Sequence, residues 1–450
     1  MSTYLTADRF GTPTNAKKYT IAGWFKLSKN TNNHILSYNY GNGQRGFDLT
    51  VRSSDQTLRV NDFTAGVTDH VDVRTNRVFR DYSAWYHIVV AYDSTQSTAA
   101  DRVKVYVNGT QETSFAASTY PSQDSDSFIA TTPQNNKGFL IGAFYNSSGN
   151  IDAGNYYSGY MSQFIFVDGT AYAASTFGST NTNGIWIPNS SPSVTYGTNG
   201  FKLDFAGTGA SADASGFGAD SSGNGNHFAS TGLGTNPSTT DQCVNNFSTL
   251  NPLVATAVTF SEGNCKAVGD GGNYDNVAST IAFDITTTNG WYAEFKMGSN
   301  VNSDTLLGIC KTDDSNLNIA NASSPAAGTA STAVGMRGDG QKKINGSNSS
   351  YGSSYTTGDI MSIAVKGGAI YFYKNGTIQN SGTAAATGLS GTYYMVLSLN
   401  GSSEMQANFG NPSFSISSGN ADANGYGNFE YAVPSGYYAL CTKNLAAYGG

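Results

Sequence analysis

The chain has 450 residues, a formal net charge of −7, and 12 % charged residues against 12 % aromatic ones. Since average chains are about a quarter charged, the surface must consist largely of Asn, Ser, Thr and Gly. Lys and Arg are scattered, without the basic stripe that binds nucleic acid. The longest apolar runs are strand-sized, and MSTYLTADRF has no secretory-signal features, so we expect no membrane insertion and synthesis in the cytosol.

Short strand-like runs alternate with polar turns from Tyr19 to Phe205: YTIAGWFKL, FDLTVR, TLRVNDF, YHIVVAY, VKVYVNG, FLIGAF, MSQFIFVDG and FKLDF. Residues 206–254 are rich in Gly, Ser and Asn, and they predict a connector. Strand-like runs such as GWYAEFKM, DIMSIAVK and IYFYKNG resume in residues 255–450. The sequence therefore predicts an all-β chain of two antiparallel β-sandwich domains, residues 1–205 and 255–450, joined by the connector.

Two of these runs end on the same dipeptide, at Asn108-Gly109 and at Asn375-Gly376. A two-residue type I′ turn needs positive φ at both central residues, which Asn and Gly tolerate. Both segments therefore predict tight hairpins.

The N-terminal half resembles the laminin G and concanavalin A-like lectin/glucanase superfamily. The resemblance rests on YTIAGWFKL with Gly23-Trp24, AWYHIVVAYD with Trp85 and His87, VKVYVNG, and GFLIGAF followed by YYSGYMSQFIFVDG. The C-terminal half resembles a SPRY domain in GWYAEFKM, with Trp291 and Glu294, in YGSSYTTGDIMSIAVK, in IYFYKNGTIQNSGTA and in ANFGNPSF. Both resemblances imply β-sandwich (jelly-roll) folds.

A third resemblance runs through GIWIPN, NGFKLDF, DSSGNGNHF, DQCVNNFSTLNPL and SGYYALCTKNL. This succession is similar to structural proteins of tailed bacteriophages, especially marine ones. It implies a virion location after synthesis in the host cytoplasm, with host cell-surface glycan and other virion proteins as partners. Fibres of this kind are commonly trimers, but no heptad or β-helix repeat decides the oligomeric state.

Catalytic signals are weak. A concanavalin-type glucanase needs carboxylates in a Glu-x-Asp-x-Glu arrangement, and no Glu of this chain stands in one. Asp69, His70 and Asp72 form the densest titratable cluster, which we interpret as a solvated strand edge. We therefore predict a protein without enzymatic activity, with a concanavalin-type glycoside hydrolase acting on host polysaccharide as the alternative.

Sugar binding needs aromatic faces and a few polar groups in a concave site. The candidates for glycan contact are Tyr38, Tyr40, Arg45, Tyr156, Tyr157, Tyr351 and Tyr355. No cofactor is expected. For Asp220 in DSSGNGNH, two roles remain possible alternatives: the side chain binds a structural calcium ion, or it caps a turn.

The four cysteines show no metal-binding spacing, so we expect buried free thiols. Cys243 and Cys265 form the one pair to check for a disulfide.

These features predict a phage virion adhesion protein, namely a tail or head fibre or a decoration subunit. It would bind host glycan or other virion proteins, and a low-charge surface suits weak contacts summed by avidity. A purely structural capsid or tail component is the second alternative.

Overall fold

The computed structural model describes residues 3–8, 10–41, 45–64, 69–131, 138–146, 148–233, 238–253, 257–317 and 322–449. It contains two compact units, residues 1–238 and 239–450. The division lies inside the segment predicted as a connector. Phe228 of that segment is buried in the first unit, and Phe247 and Leu250 are buried in the second.

The strands of the N-terminal unit follow in chain order: β1 Tyr4–Ala7, β2 Lys18–Leu27, β3 Asn33–Gly41, β4 Arg45–Val51, β5 Thr57–Thr64, β6 Val71–Val78, β7 Tyr86–Asp93, β8 Val103–Val107, β9 Thr110–Gln111, β10 Phe115–Thr119, β11 Phe139–Ile141, β12 Ala143–Tyr145, β13 Ile151–Tyr156, β14 Gly159–Asp168, β15 Gly178–Thr180, β16 Trp186–Pro188, β17 Phe201–Leu203 and β18 Ala229–Thr231.

Two antiparallel sheets form a sandwich in the described part of this unit. Sheet A has the order β10-β6-β5-β4-β3-β11-β1-β18, and sheet B has the order β17-β14-β2-β7-β8-β9. Alternate residues of both sheets point inward, so Leu49 and Val60 of sheet A share one core with Ile21 and Val90 of sheet B. The β12–β13 and β15–β16 hairpins lie outside these two sheets.

The C-terminal unit has the elements β19 Val258–Ser261, β20 Lys266–Gly269, β21 Tyr274–Ala278, β22 Phe283–Asp284, β23 Gly290–Met297, β24 Leu306–Lys311, β25 Val334–Arg337, β26 Gln341–Ile344, β27 Ser347–Ser350, β28 Ile360–Lys366, β29 Ala369–Lys374, β30 Thr377–Ile378, β31 Thr392–Asn400, β32 Glu404–Asn408, β33 Tyr437–Ala439 and α1 Thr442–Tyr448. Among the described residues, no helix has the length and apolar character needed to cross a membrane.

Two sheets also make up the described part of the C-terminal unit. Sheet C has the order β19-β20-β32-β23-β28-β29-β30, with β33 paired to β23, and sheet D has the order β21-β31-β24-β25-β26-β27, with β22 paired to β31. The β23–β33 pair is parallel, which the antiparallel prediction did not include. Ala293 and Phe295 of sheet C share a core with Leu307 and Leu397 of sheet D.

The predicted Asn-Gly hairpins have the expected turn. Asn108 and Gly109 have φ values of 48° and 80°, and Asn375 and Gly376 have 48° and 76°. Val107 pairs with Thr110 and Lys374 pairs with Thr377, so both loops contain two residues. The sequence analysis missed a third such turn, Asn345-Gly346 between β26 and β27, with φ values of 50° and 74°.

No disulfide joins the four cysteines, which all lie in the described part of the chain. Cys265, Cys310 and Cys441 are buried as predicted, but Cys243 is only half-buried. Burial raises the pKa of the Cys310 thiol, and the nearby carboxylates of Asp314 and Asp313 add to the shift. The buried thiols are therefore packing residues.

Candidate functional site

A row of polar side chains crosses sheet A on its outer face. Ser37 of β3 is paired with Asp48 of β4, Asp48 with Asn61 of β5, and Asn61 with Asp72 of β6. Because side chains alternate along a strand, these four point away from the core. Strands lie about 4.8 Å apart, so the row spans about 14 Å. Ser37, Asp48 and Asn61 are only 1 %, 6 % and 5 % exposed, so neighbouring side chains cover most of this row.

Asp48 is the best-connected member of this row. Its Oδ1 accepts hydrogen bonds from His34 Nδ1 at 2.8 Å and from Ser37 Oγ at 3.0 Å. Asn61 uses its Nδ2 to donate to the Val71 carbonyl at 2.9 Å. Within the described residues, no protein donor forms a hydrogen bond to Asp48 Oδ2 or to Asn61 Oδ1. Two oxygens of this nearly covered row therefore keep unused acceptor capacity.

Arg59 gives this face a charged side. Its Nε donates to Asp72 at 2.7 Å and its Nη2 to Asp69 at 2.9 Å. Burial alone would lower the pKa of Arg59, but the hydrogen bond to Asp72 and the charges of both aspartates outweigh it and raise the pKa. His70 is exposed and stacks on Phe128 with ring centroids 5.5 Å apart. In the predicted titratable cluster, Asp69 and Asp72 are thus ion-pair partners of Arg59, and His70 is an exposed ring on the surface.

Aromatic rings stand on the other side of the polar row. On β5, Arg59, Asn61 and Phe63 are two residues apart and share the outer face. The ring of Phe63 lies over Gly46, where an added Cβ would meet Phe63 Cζ at 3.1 Å. Phe144 of β12 lies 6.3 Å from Phe63 and stacks on His34 at 4.7 Å. We call the face formed by His34, Ser37, Asp48, Arg59, Asn61, Phe63, Asp72 and Phe144 the polar face of sheet A.

Three of the predicted glycan-contact tyrosines are buried, so the prediction was wrong for them. Tyr38 is 1 % exposed, Tyr355 2 % and Tyr351 6 %. Their hydroxyl groups donate to backbone carbonyls, such as Thr131 for Tyr38 at 2.8 Å and Thr383 for Tyr351 at 2.9 Å. Rings covered by the core have no face to offer a sugar.

The other four candidates stay predictions. Tyr157 donates its hydroxyl to the backbone carbonyls of Lys26 and Tyr160, and burial raises its pKa well above the usual value. Tyr156 is half-buried and stacks on Tyr4 with centroids 6.3 Å apart. Two further candidates belong to β3 and β4, and their side chains lie outside the described residues: Tyr40 and Arg45.

Asp220, the candidate calcium ligand, caps a turn. Its Oδ1 accepts from the backbone N–H groups of Lys202 at 2.9 Å and Ser222 at 2.8 Å. Its Oδ2 accepts from Ser222 Oγ at 2.8 Å and from the Asn226 N–H at 2.9 Å. Four protein donors therefore use this carboxylate. Across the described residues, no three His, Cys, Asp or Glu side chains are grouped as metal ligands.

Glu294 of the SPRY-like motif is fully buried on β23. Its carboxylate accepts from the backbone N–H groups of Glu430 at 2.9 Å and Tyr431 at 2.8 Å, from the Tyr292 hydroxyl and from Asn408 Nδ2, both at 3.2 Å. Burial raises its pKa, although these hydrogen bonds oppose the shift. The contacts assign Glu294 to holding the 430–431 backbone against sheet C.

The sequence analysis missed His34, Asp48, Asn61, Phe63 and Phe144. Their signal was present in part, because FDLTVR and TLRVNDF alternate polar and apolar residues. Strand alternation places Asp48 and Asn61 on one face, but the approach of Phe144 depends on the β12–β13 hairpin leaving sheet A.

Each of the two β-sandwich units contains a segment that matches a known domain family. Residues 2–164 match the family model described as the concanavalin A-like lectin/glucanases superfamily, and residues 290–412 match the SPRY domain. The chain therefore carries a concanavalin A-like domain followed by a SPRY domain.

Two solved structures illustrate the similarity. The SPRY domain of human HERC1 is 17 % identical, with a TM-score of 0.28, and the match covers 35 % of this chain and 96 % of that one. The heptameric SAP-like pentraxin of Limulus polyphemus is 15 % identical, with a TM-score of 0.29, and the match covers 42 % of this chain and 87 % of that one. No curated protein matches the chain.

Proposed function

We propose that the chain is a non-catalytic adhesion protein whose N-terminal unit binds glycan on the polar face of sheet A. The observation that carries this proposal is the row from Ser37 through Asp48 and Asn61 to Asp72. A pyranose ring has an apolar face, which suits the rings of Phe63 and Phe144. Its hydroxyl groups suit the free acceptor oxygens of the row.

Each contact of this kind is weak, so strong attachment requires several copies acting together. The low-charge surface of the chain is suited to repeated weak contacts, since no large single-sign field has to be neutralised on binding. We therefore propose that the protein acts in multiple copies on a repetitive polysaccharide.

We further propose that the protein belongs to a tailed-phage virion, as a tail or head fibre or a decoration subunit. The support is the succession of segments from GIWIPN to SGYYALCTKNL between and after the two domains. On this proposal it is made in the host cytoplasm, and its partners are host surface glycan and other virion proteins.

The proposal is tested by probing glycan arrays and host envelope polysaccharide with the labelled full chain, and by labelling virions with antibodies against it. Binding without shortening of the polysaccharide, together with labelled virions, is the expected result. Virion labelling without glycan binding would favour the alternative that the protein is a purely structural component of the capsid or tail. Shortened polysaccharide chains would instead establish the glycoside hydrolase alternative.

A further inference from the structure

A second concave site lies in the N-terminal unit, apart from the row on sheet A. It is a cleft of about 580 Å³ between β1, the β12–β13 hairpin and the segment leading into β18. Its described lining includes Asp8, Phe10, Tyr145 and His227. This lining combines an aromatic wall with a few polar groups, which is the composition of small-molecule sites.

The tautomer of His227 is fixed by the backbone. Its Nδ1 accepts a hydrogen bond from the N–H of Asp220 at 3.0 Å. A neutral imidazole with an accepting Nδ1 carries its proton on Nε2. No described residue uses that Nε2 as a hydrogen-bond partner. His227 therefore offers one N–H donor to a molecule in the cleft.

Asp8 and Tyr145 supply unused polar groups at the same cleft. Among the described residues, Asp8 forms no ion pair or hydrogen bond, and the Tyr145 hydroxyl has no hydrogen-bond partner. Burial raises the pKa of Tyr145 to about 12, and the charge of Asp8 contributes to the shift. The Asp8 carboxylate and the Tyr145 phenol are therefore near enough to interact, and both residues line the cleft.

Phe10 forms a fixed apolar wall. Its ring stacks on Phe139 with centroids 6.2 Å apart and meets the edge of Phe228 at 6.0 Å. Both partners belong to the core of the sandwich, so the Phe10 ring is held in place. A pyranose can lie against such a ring at little cost in side-chain entropy.

We propose that this cleft binds an amino sugar, a hexose with a protonated primary amine, and this deepens the proposed glycan-binding function on which it rests. The ammonium group is placed by the Asp8 carboxylate and the electron-rich ring of Tyr145. The sugar ring lies against Phe10, and a ring oxygen or hydroxyl accepts from His227 Nε2. Asp8 disfavours uronic acids and other anionic sugars, because like charges repel.

The test is a ligand-observed NMR titration of the full chain with D-glucosamine, N-acetyl-D-glucosamine and D-glucose at about pH 7, where most of the amine is protonated. Glucosamine is expected to bind at least about tenfold more tightly than the two neutral sugars, since a charge-assisted hydrogen bond is lost without the ammonium. Equal binding of the three sugars, or binding of none, overturns the proposal.

Variants locate the site. Asp8→Asn keeps the shape and is expected to remove the preference for glucosamine. Tyr145→Leu removes the electron-rich ring and is expected to weaken glucosamine binding about fivefold. Asp126→Asn, at an exposed carboxylate of the same unit that is absent from the cleft lining, is the matched control and should bind as the wild type. Glucosamine binding that is unchanged in Asp8→Asn contradicts the assignment.

A further variant separates this inference from the proposed function. Phe63→Ala alters the polar face of sheet A and leaves the cleft lining intact. If it loses polysaccharide binding but keeps glucosamine binding, both proposals stand. Wild-type binding of a neutral polysaccharide without any glucosamine binding removes the cleft proposal alone.

Discussion

Trp186 donates a hydrogen bond from its indole Nε1 to Nδ1 of His87, with a nitrogen–nitrogen distance of 3.1 Å. The same indole covers Gly109 of the first Asn-Gly turn, where an added Cβ would collide with the ring. In the C-terminal unit the ring of Tyr431 covers Gly376 in the same way. The two similar hairpins are therefore each capped by an aromatic ring from a later segment.

Alanine at a capped turn glycine should cost more stability than alanine at an uncapped one. Gly346 has the same backbone conformation as Gly376, with φ of 74° against 76°, but nothing lies within 4 Å of its missing Cβ. We expect Gly346→Ala to cost about 1 kcal/mol for the left-handed conformation alone. Gly376→Ala should cost about 1–3 kcal/mol more because the Tyr431 ring must move.

Chemical denaturation of the two variants measures this difference within one unit. Gly109→Ala, measured by the unfolding of the N-terminal unit, should lose about as much stability as Gly376→Ala loses in the C-terminal unit. Equal losses for Gly346→Ala and Gly376→Ala would mean that the ring contributes nothing to the turn.

His87 should make the N-terminal unit less stable in acid. Burial lowers its pKa from 6.5 to about 3, so the unfolded chain binds the proton more readily. The stability that neutral His87 contributes to the folded unit is therefore complete above pH 6.5 and is lost as the pH falls toward 3. His87→Gln keeps an acceptor for Trp186 without titrating, so its melting temperature should fall less on acidification than that of the wild type. An identical acid profile would contradict this role.

Asp62 should make the N-terminal unit less stable as the pH rises, which is opposite to the effect of His87. Burial in the core raises its pKa from 3.8 to about 7, although the Phe128 N–H donates to the carboxylate. The folded chain then binds the proton more readily, so stability is full below pH 3.8 and is lost as the pH rises through about 7. The slope is at most about 1.4 kcal/mol per pH unit.

Asp62→Asn removes this titration while keeping an acceptor for Phe128. Its melting temperature should therefore rise relative to the wild type as the pH increases from 4 to 7, a window bounded by the 3.8 and about 7 of Asp62. Asp8→Asn, at an exposed carboxylate that is not among the groups shifting the pKa of Asp62, is the control. A constant difference between Asp62→Asn and the wild type across the window would show that Asp62 stays charged in the fold.

Glu294 should hold the segment that caps the second hairpin. Replacing it with Ala leaves the N–H groups of Glu430 and Tyr431 without their acceptor and is expected to cost about 3 kcal/mol or more. Hydrogen exchange should speed up at both amides and at the turn containing Gly376. Exchange that accelerates evenly over the whole unit would argue against a local role.

The strands could be predicted well because local alternation determines them. GWYAEFKM coincides with β23, and YHIVVAY lies within β7. The same rule had placed Tyr38 between Ser37 and Asn39, on the core side of β3 with Leu36, so its burial was readable from the sequence. It was missed because the prediction did not include SYNYGNGQR among the strand-like runs.

Burial of Tyr351 and Tyr355 was not readable in this way. Tyr355 donates to the carbonyl of Thr305 at 2.7 Å, a partner 50 residues away, and no local pattern reports such a contact. The polar face of sheet A has the same limit, since Phe144 reaches it only because the chain turns at Gly142 with φ of 84°. Local pattern thus determined the strands, and long-range packing determined the site.

The central claim is that the polar face of sheet A binds glycan, and Phe63→Ala tests it most directly. Polysaccharide binding by the wild type, Phe63→Ala and the control Ile185→Ala is compared by surface plasmon resonance, after circular dichroism has shown that each is folded. Ile185 is 58 % exposed in the same unit and lies outside the face. We predict that Phe63→Ala weakens binding about tenfold, since a stacked ring contributes about 1–1.5 kcal/mol, and that Ile185→Ala binds normally. Wild-type affinity in Phe63→Ala would contradict the claim.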